Sequence, residues 1–244
     1  MPPANFATLE KNGLTKRKIE YRVIPPEPDA EFVARMEEVL ETSAAASDPQ
    51  DPVPGRDEQP VPLLKETRVP IAATKRRGRR VDYEDERKGP ASVFMFAEPL
   101  SGFRQATARL RRTEADRAIE GAQMRDPPSA DRAEVTRVCD DLNTPTKGAF
   151  SEAFEPRRAR ASVKRIRSCS TPKHGSWLNG AEGERSCLTS PCLSDRRSGE
   201  LIDLQFAIAT WSDRTNAKRR GVDWQFRIED ARIRLKRLYP KIKT

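Results

Sequence analysis

The segment Ser92-Val93-Phe94-Met95-Phe96, enclosed by Pro90 and Pro99, constrains this chain more than any other. A short apolar run bounded by prolines reads as a buried strand, and Phe103 to Leu110 follows at hairpin distance as its partner. The fold must therefore contain a sheet built on this pair. The apolar material available to cover it is limited. The 244 residues are 36% hydrophobic, 6% aromatic and 34% charged, with 20 prolines, and the mean hydropathy is −0.79. Typical soluble domains are roughly 45–50% apolar, so the core is lean and the composition leans toward that of disordered chains. The length suits one large domain or one domain with a small appendage. No apolar run approaches the roughly 20 residues of a membrane span, and Met1 to Asn5 lack the basic and apolar regions of a signal peptide. A soluble, unexported protein with no membrane partner is expected.

Helical periodicity marks Ala30 to Glu41, where Phe32, Val33, Met36, Val39 and Leu40 share a face. Residues 43–62 are rich in proline and small polar residues, and read as loop rather than strand. Thr113 is placed to cap a helix that begins at Glu114 and ends before Pro127-Pro128. Glu134 to Cys139 alternates like a half-buried strand ending at Asp140-Asp141, and Val163 to Arg167 reads as a weaker strand. Two further helical stripes follow, one of Leu201, Leu204, Ile208 and Trp211, the other of Ala231, Leu235 and Leu238.

The net charge is +9, and it is segregated: residues 27–66 hold eleven acidic and three basic side chains. The rest of the chain carries a net +17, with runs at Lys75 to Arg80, Arg157 to Arg167, Lys218 to Arg220 and Arg232 to Arg237. Such runs suit either a phosphate backbone or simple solvation. The four cysteines, Cys139, Cys169, Cys187 and Cys192, have no metal or redox spacing, and His174 is the one histidine. They read as ordinary thiols.

Carboxylates fall at the ends of the expected elements: Asp57-Glu58, Asp140-Asp141, and Glu182 at a helix start. Three such groups suit a hard divalent cation, but among 37 acidic residues the same pattern also arises without any site.

The stretch Ser170-Thr171-Pro172-Lys173-His174-Gly175-Ser176-Trp177-Leu178-Asn179-Gly180-Ala181-Glu182 resembles the signature of bacterial insertion-sequence transposases of the mariner-like DDE superfamily. Further matches lie at Ile24-Pro25-Pro26, Glu66-Thr67-Arg68, Asp82-Tyr83-Glu84, Phe94 to Leu100, Arg111-Arg112-Thr113, Asp141-Leu142-Asn143-Thr144, Val222 to Phe226 and Asp230 to Pro240. The resemblance spans nearly the whole chain. It implies an RNase H-like α/β domain with a mixed central sheet flanked by helices, covering residues 51–240. Ahead of it would lie a helix and linker over 24–50, and over 1–23 the remnant of a helix-turn-helix DNA-binding region.

Matched motif to motif, the catalytic and metal-binding acids would be Asp57, Asp140 and Glu182, the last two separated by 41 residues. Two Mg2+ or Mn2+ ions are the implied cofactors. The implied partners are transposon-end and target DNA and a second copy of the chain, and the implied location is the bacterial cytoplasm, on the nucleoid. Lys75, Arg76, Arg77, Arg79, Arg80, Lys173 and His174 would contact DNA, and Trp177 would support the site. The implied activity is metal-dependent DNA cleavage and strand transfer. The competing expectation is a non-catalytic, partly disordered basic relic that binds nucleic acid.

Departures from the family pattern imply an impaired copy. Asp141 and Pro145 replace the family's Asn and His, and Gly180 and Gly183 replace larger apolar residues on the helix bearing Glu182. Pro54-Gly55-Arg56 would interrupt the first strand, while Arg137 and Lys164-Arg165 would put charge into a buried sheet. A marginal, incompletely formed fold is expected, because an uncompensated buried charge costs several kcal/mol against a margin of about 5–15. Charge without a sequence-reading element predicts DNA binding that is weak and steeply salt-dependent. Titrating a putative terminal repeat and a scrambled duplex across a salt series should show less than about tenfold preference, or about 1.4 kcal/mol.

Overall fold

The computed structural model describes residues 27–45, 53–123, 135–140, 144–194, 196–222 and 225–241. The N-terminal remnant expected over residues 1–23, and Asp141, lie outside them. In chain order the elements are α1 (Ala30–Ala45), β1 (Gly55–Glu66), β2 (Asp85–Glu98), β3 (Phe103–Arg109), α2 (Glu114–Gln123) and β4 (Val135–Cys139). They continue with α3 (Lys147–Ala153), α4 (Pro156–Arg165), β5 (Ile166–Ser170), α5 (Gly180–Leu188), α6 (Leu201–Asn216) and α7 (Ile228–Arg234). A five-residue π-helical turn, Thr189–Leu193, extends α5.

The strands form one mixed sheet in the order β3-β2-β1-β4-β5. β1, β2 and β3 pair antiparallel, while β4 runs parallel to β1 and β5 parallel to β4. With helices on both faces, this is the RNase H-like α/β arrangement expected from the sequence. Among the described residues no helix is long and apolar enough to cross a membrane.

The β2–β3 hairpin forms where the apolar run required it, and its inner half, Ala91 to Glu98, is fully buried. Buried Glu98 accepts the backbone N–H groups of Leu100 and Ser101 and so closes the turn. Strand alternation then divides the chemistry of the two faces. Val93 and Met95 pack with Leu188, Leu204, Ile208 and Trp211 of α5 and α6, whereas Phe94 and Phe96 lie under the guanidinium of Arg56. The α1 stripe of Phe32, Val33, Met36, Val39 and Leu40 buries against Val53, Val138, Cys169, Leu178, Ala231 and Leu238.

Several sequence expectations are corrected. Residues 55–62, expected as loop, form most of β1. Pro54 precedes the strand instead of breaking it, and its carbonyl accepts the N–H of Val138. Pro62 and Pro90 lie opposite each other on a hairpin arm. On that arm β4 has already ended beside Arg56 and β3 reaches only Ser92, so neither proline removes a bond from an inner ladder. Val163, Lys164 and Arg165 belong to α4, and the strand begins at Ile166. That strand is an edge of the sheet, which is why Arg167 and Ser168 are exposed there without penalty. Arg137, by contrast, is buried as expected. It stacks 5.7 Å from the centroid of Phe96 and donates to the carbonyl of Gly121 at 2.5 Å. Burial still pushes its pKa down to about 10.

The two glycines of α5 differ in kind. A Cβ on Gly180 would come within 2.8 Å of Pro99 Cγ, whereas one on Gly183 would meet nothing within 4 Å. Gly180 therefore permits the close approach of α5 to the β2–β3 turn, while Gly183 only weakens the helix. Replacing Gly183 with Ala should stabilise the protein by about 0.5–1 kcal/mol, and Gly180→Ala should destabilise it; denaturant unfolding of the two variants checks both signs.

Candidate metal centre

The site is assembled where β1, β4 and α5 meet. The parallel register pairs Arg56 with Cys139, so the next residue on each chain segment is an acid, Asp57 beside Asp140. Adjacent strands lie about 4.8 Å apart. On β1 the side chains alternate. Arg56 and Glu58 turn to the face covered by α2, where Glu58 pairs with Arg117 at 3.0 Å, and Asp57 turns to α5.

α5 is held in place by its own cap. The Asn179 side chain is buried, its Oδ1 accepts from Ala181 N–H at 3.1 Å, and its Nδ2 donates to the Arg56 carbonyl at 2.7 Å. Gly55 makes this approach possible, because a Cβ there would lie 2.6 Å from Asn179 Oδ1. Ahead of the cap, Leu178 is buried in the core and Trp177 meets Phe226 edge-on, with centroids 5.9 Å apart. Two residues beyond Glu182, buried Glu184 binds Arg104 of β3 through two hydrogen bonds of 2.6 and 2.7 Å. The helix is thus tied to the sheet at its start and at its middle.

Glu182, in the first turn of α5, and Asp57 face each other across Arg185. The guanidinium lies 3.6 Å from Asp57 Oδ2 and 3.9 Å from Glu182 Oε1. Asp57 is only 7% exposed. Its Oδ1 accepts the N–H of Glu58 at 2.8 Å, while Oδ2 is buried with no hydrogen-bond partner among the described residues. Burial pushes the Asp57 carboxyl above its ordinary value, the Glu58 N–H and Arg185 oppose this, and the charges of Glu182 and Asp140 reinforce it. Asp140 itself is oriented by Thr171, whose hydroxyl donates to Oδ1 at 3.3 Å.

Asp57, Asp140 and Glu182 therefore share one electrostatic neighbourhood, but among the described residues no three metal-ligating side chains close into a coordination shell. The donor set fits a hard divalent cation, since it is all carboxylate oxygen and includes a buried oxygen that no donor among the described residues satisfies.

The expected DNA contacts separate into two places. Lys173 and His174 are exposed on the turn that leads into α5, where His174 adopts a left-handed backbone with φ 65°. Lys75 to Arg80 lie instead in the exposed connection at the far end of the β1–β2 arm, closed by bridges between Ile71 and Arg80 and between Thr74 and Arg77. Glu66, where β1 ends, is about 30 Å along the strand from Asp57 at roughly 3.3 Å per residue. The four cysteines are free. Sequence reasoning overlooked Arg185, although its i,i+3 spacing from Glu182 was visible, and Gly55, for which no local signal exists. The capping role of Asn179 was overlooked too, although Asn three residues before Glu is a helix-start pattern.

No family model matches the chain, and no curated protein matches it. Among solved structures it is similar to the mariner Mos1 paired end complex with Mg, with a TM-score of 0.49, 11% identity, and coverage of 96% of this chain and 71% of that one. It is also similar to the Mos1 mariner paired end complex with Mn, with a TM-score of 0.43, 12% identity, and coverage of 87% and 66%. For the Mos1 strand transfer complex the TM-score is 0.42, with 11% identity and coverage of 90% and 70%. The chain spans about two thirds of the length of these Mos1 chains.

The raised pKa of Asp57 has a definite sign for stability. The folded chain holds this proton to higher pH than the unfolded chain, so stability is lost as pH rises from the ordinary 3.8 through the raised folded value. Asp57→Asn should therefore raise the melting temperature near neutral pH. The difference should close on acidification below 3.8, as thermal melts across pH would record.

Proposed function

We propose that this chain is a transposase-like DNA-cleaving domain in which Asp57, Asp140 and Glu182 hold divalent metal, Mg2+ or Mn2+. The observation that carries the reading is the convergence of three acids from β1, the end of β4 and the first turn of α5, one of them with a buried oxygen that has no hydrogen-bond partner among the described residues. The motif resemblance around Ser170 to Glu182 points the same way. Bound metal would activate a water or hydroxyl oxygen and stabilise the leaving oxygen of a phosphodiester. The protein's own part is to hold the ligands. Asn179 fixes α5, and hence Glu182, against the strand bearing Asp57, and Thr171 orients Asp140.

Lys173 and His174 border the acids on the turn into α5 and supply contacts to a DNA backbone there. Lys75, Arg76, Arg77, Arg79 and Arg80 form a separate basic tip that holds phosphates at a distance from the acids. Transposon ends and target DNA are the proposed substrates, a homodimer the proposed assembly, and the bacterial nucleoid the proposed location.

A second reading, a non-catalytic nucleic-acid-binding domain, is favoured by the Arg185 guanidinium between Asp57 and Glu182. Nicking of supercoiled DNA decides between them. Under the first reading, nicking requires Mg2+ or Mn2+ and falls by about 10²-fold or more in Asp140→Asn and Glu182→Gln. Under the second, all three proteins retain salt-sensitive DNA binding and none nicks.

A further inference from the structure

Arg185 runs against the proposed use of the carboxylate centre. It stands one helical turn after Glu182, and its two terminal nitrogens divide between acids on different elements, Nη1 3.6 Å from Asp57 Oδ2 and Nη2 3.9 Å from Glu182 Oε1. Both distances lie beyond hydrogen-bonding range, so the guanidinium is held by charge rather than by a fitted, directional pair. The side chain is 42% exposed, against 10% for Asp57, so it can swing into solvent on its long stem while the acid stays buried. The tie is therefore reversible. Nor is Arg185 fitted to a single acid, as Arg104 is to Glu184. It draws on two of the three acids and leaves two of their three negative charges for any other cation.

Resting on the metal-binding reading above, we propose that Arg185 is a tethered competitor of the divalent ion. Its guanidinium neutralises part of the charge on Asp57 and Glu182, and metal must displace it to bind there. Arg185 thereby sets the concentration of divalent cation at which the centre fills. The repulsion between a divalent ion and a guanidinium a few ångströms away at a half-exposed site corresponds to about a tenfold change in affinity.

Mn2+ alone is the probe, with free ion measured by electron paramagnetic resonance and binding heat by calorimetry, on the full chain without DNA. Arg185→Ala, and Arg185→Gln as a second neutral variant, should bind Mn2+ about tenfold more tightly than the unmodified protein. The gain should shrink as ionic strength rises. Arg185→Lys, which keeps the charge, should remain near the unmodified protein. Equal or weaker Mn2+ binding by both neutral variants, with melting curves showing that at least one is folded, overturns the proposal. Asp57→Asn separates this failure from that of the underlying reading. If it weakens Mn2+ binding while the Arg185 variants leave it unchanged, the metal centre stands and the competitor role falls. If Asp57→Asn changes nothing, both fall.

Discussion

The bridge made by Asn179 is the interaction on which the geometry of this molecule depends. One buried amide caps α5 through Ala181 N–H and grips β1 through the Arg56 carbonyl. It thereby couples the strand carrying Asp57 to the helix carrying Glu182. Helix caps of this kind contribute roughly 0.5–2 kcal/mol, and a buried carbonyl left without its donor costs a further 1–3. Gly55 is part of the same joint, since any side chain there would occupy the space of the Asn179 carboxamide. The ion pair of Glu184 with Arg104 then ties the middle of α5 to the sheet.

A lean apolar composition is reconciled with a buried sheet by giving its two faces different chemistry. On one face Val93, Met95, Leu63 and the α6 stripe form an ordinary hydrophobic cluster. On the other, Arg56 and Arg137 spread over the rings of Phe94 and Phe96, so that cations perform the covering that aliphatic side chains perform elsewhere. α2 seals this face with its own charges. Arg117 reaches Glu58, and Glu120 accepts from both Thr107 and Arg109. Such a layer is less forgiving than an apolar one, because removing one partner strands a buried charge. The depressed pKa values of Arg56 and Arg137 show the desolvation that this arrangement tolerates.

At the site itself, attraction and repulsion are set by burial. Asp57 faces two other acids in a desolvated position, and its proton affinity rises accordingly. A cation relieves this tension, whether it is a guanidinium from the same helix or a metal ion. The guanidinium that stands there is that of Arg185, at the rim of the site.

The periodicity of α1 and α6, the β2–β3 hairpin, the Thr113-capped helix and the strand leading to Asp140 were legible in the sequence. Each depends on neighbours a few residues away, and local patterning expresses such dependence directly. That Glu182 opens a helix was legible for the same reason, although the capping role of Asn179 was not drawn from it. The β1 strand was not, because its prolines are acceptable only where β3 and β4 fail to reach, a property of the assembled sheet. Nor was the difference between Gly180 and Gly183, which turns on Pro99, some eighty residues earlier in the chain. The sequence by itself determined which residues could be acids, caps and core. Tertiary structure alone decided that Asp57 and Asp140 stand side by side, that Arg137 is buried while Lys164 is not, and that Arg185 lies between two acids. Register, edge position and burial arise from chain segments far apart in sequence, and they exist only once those segments have packed.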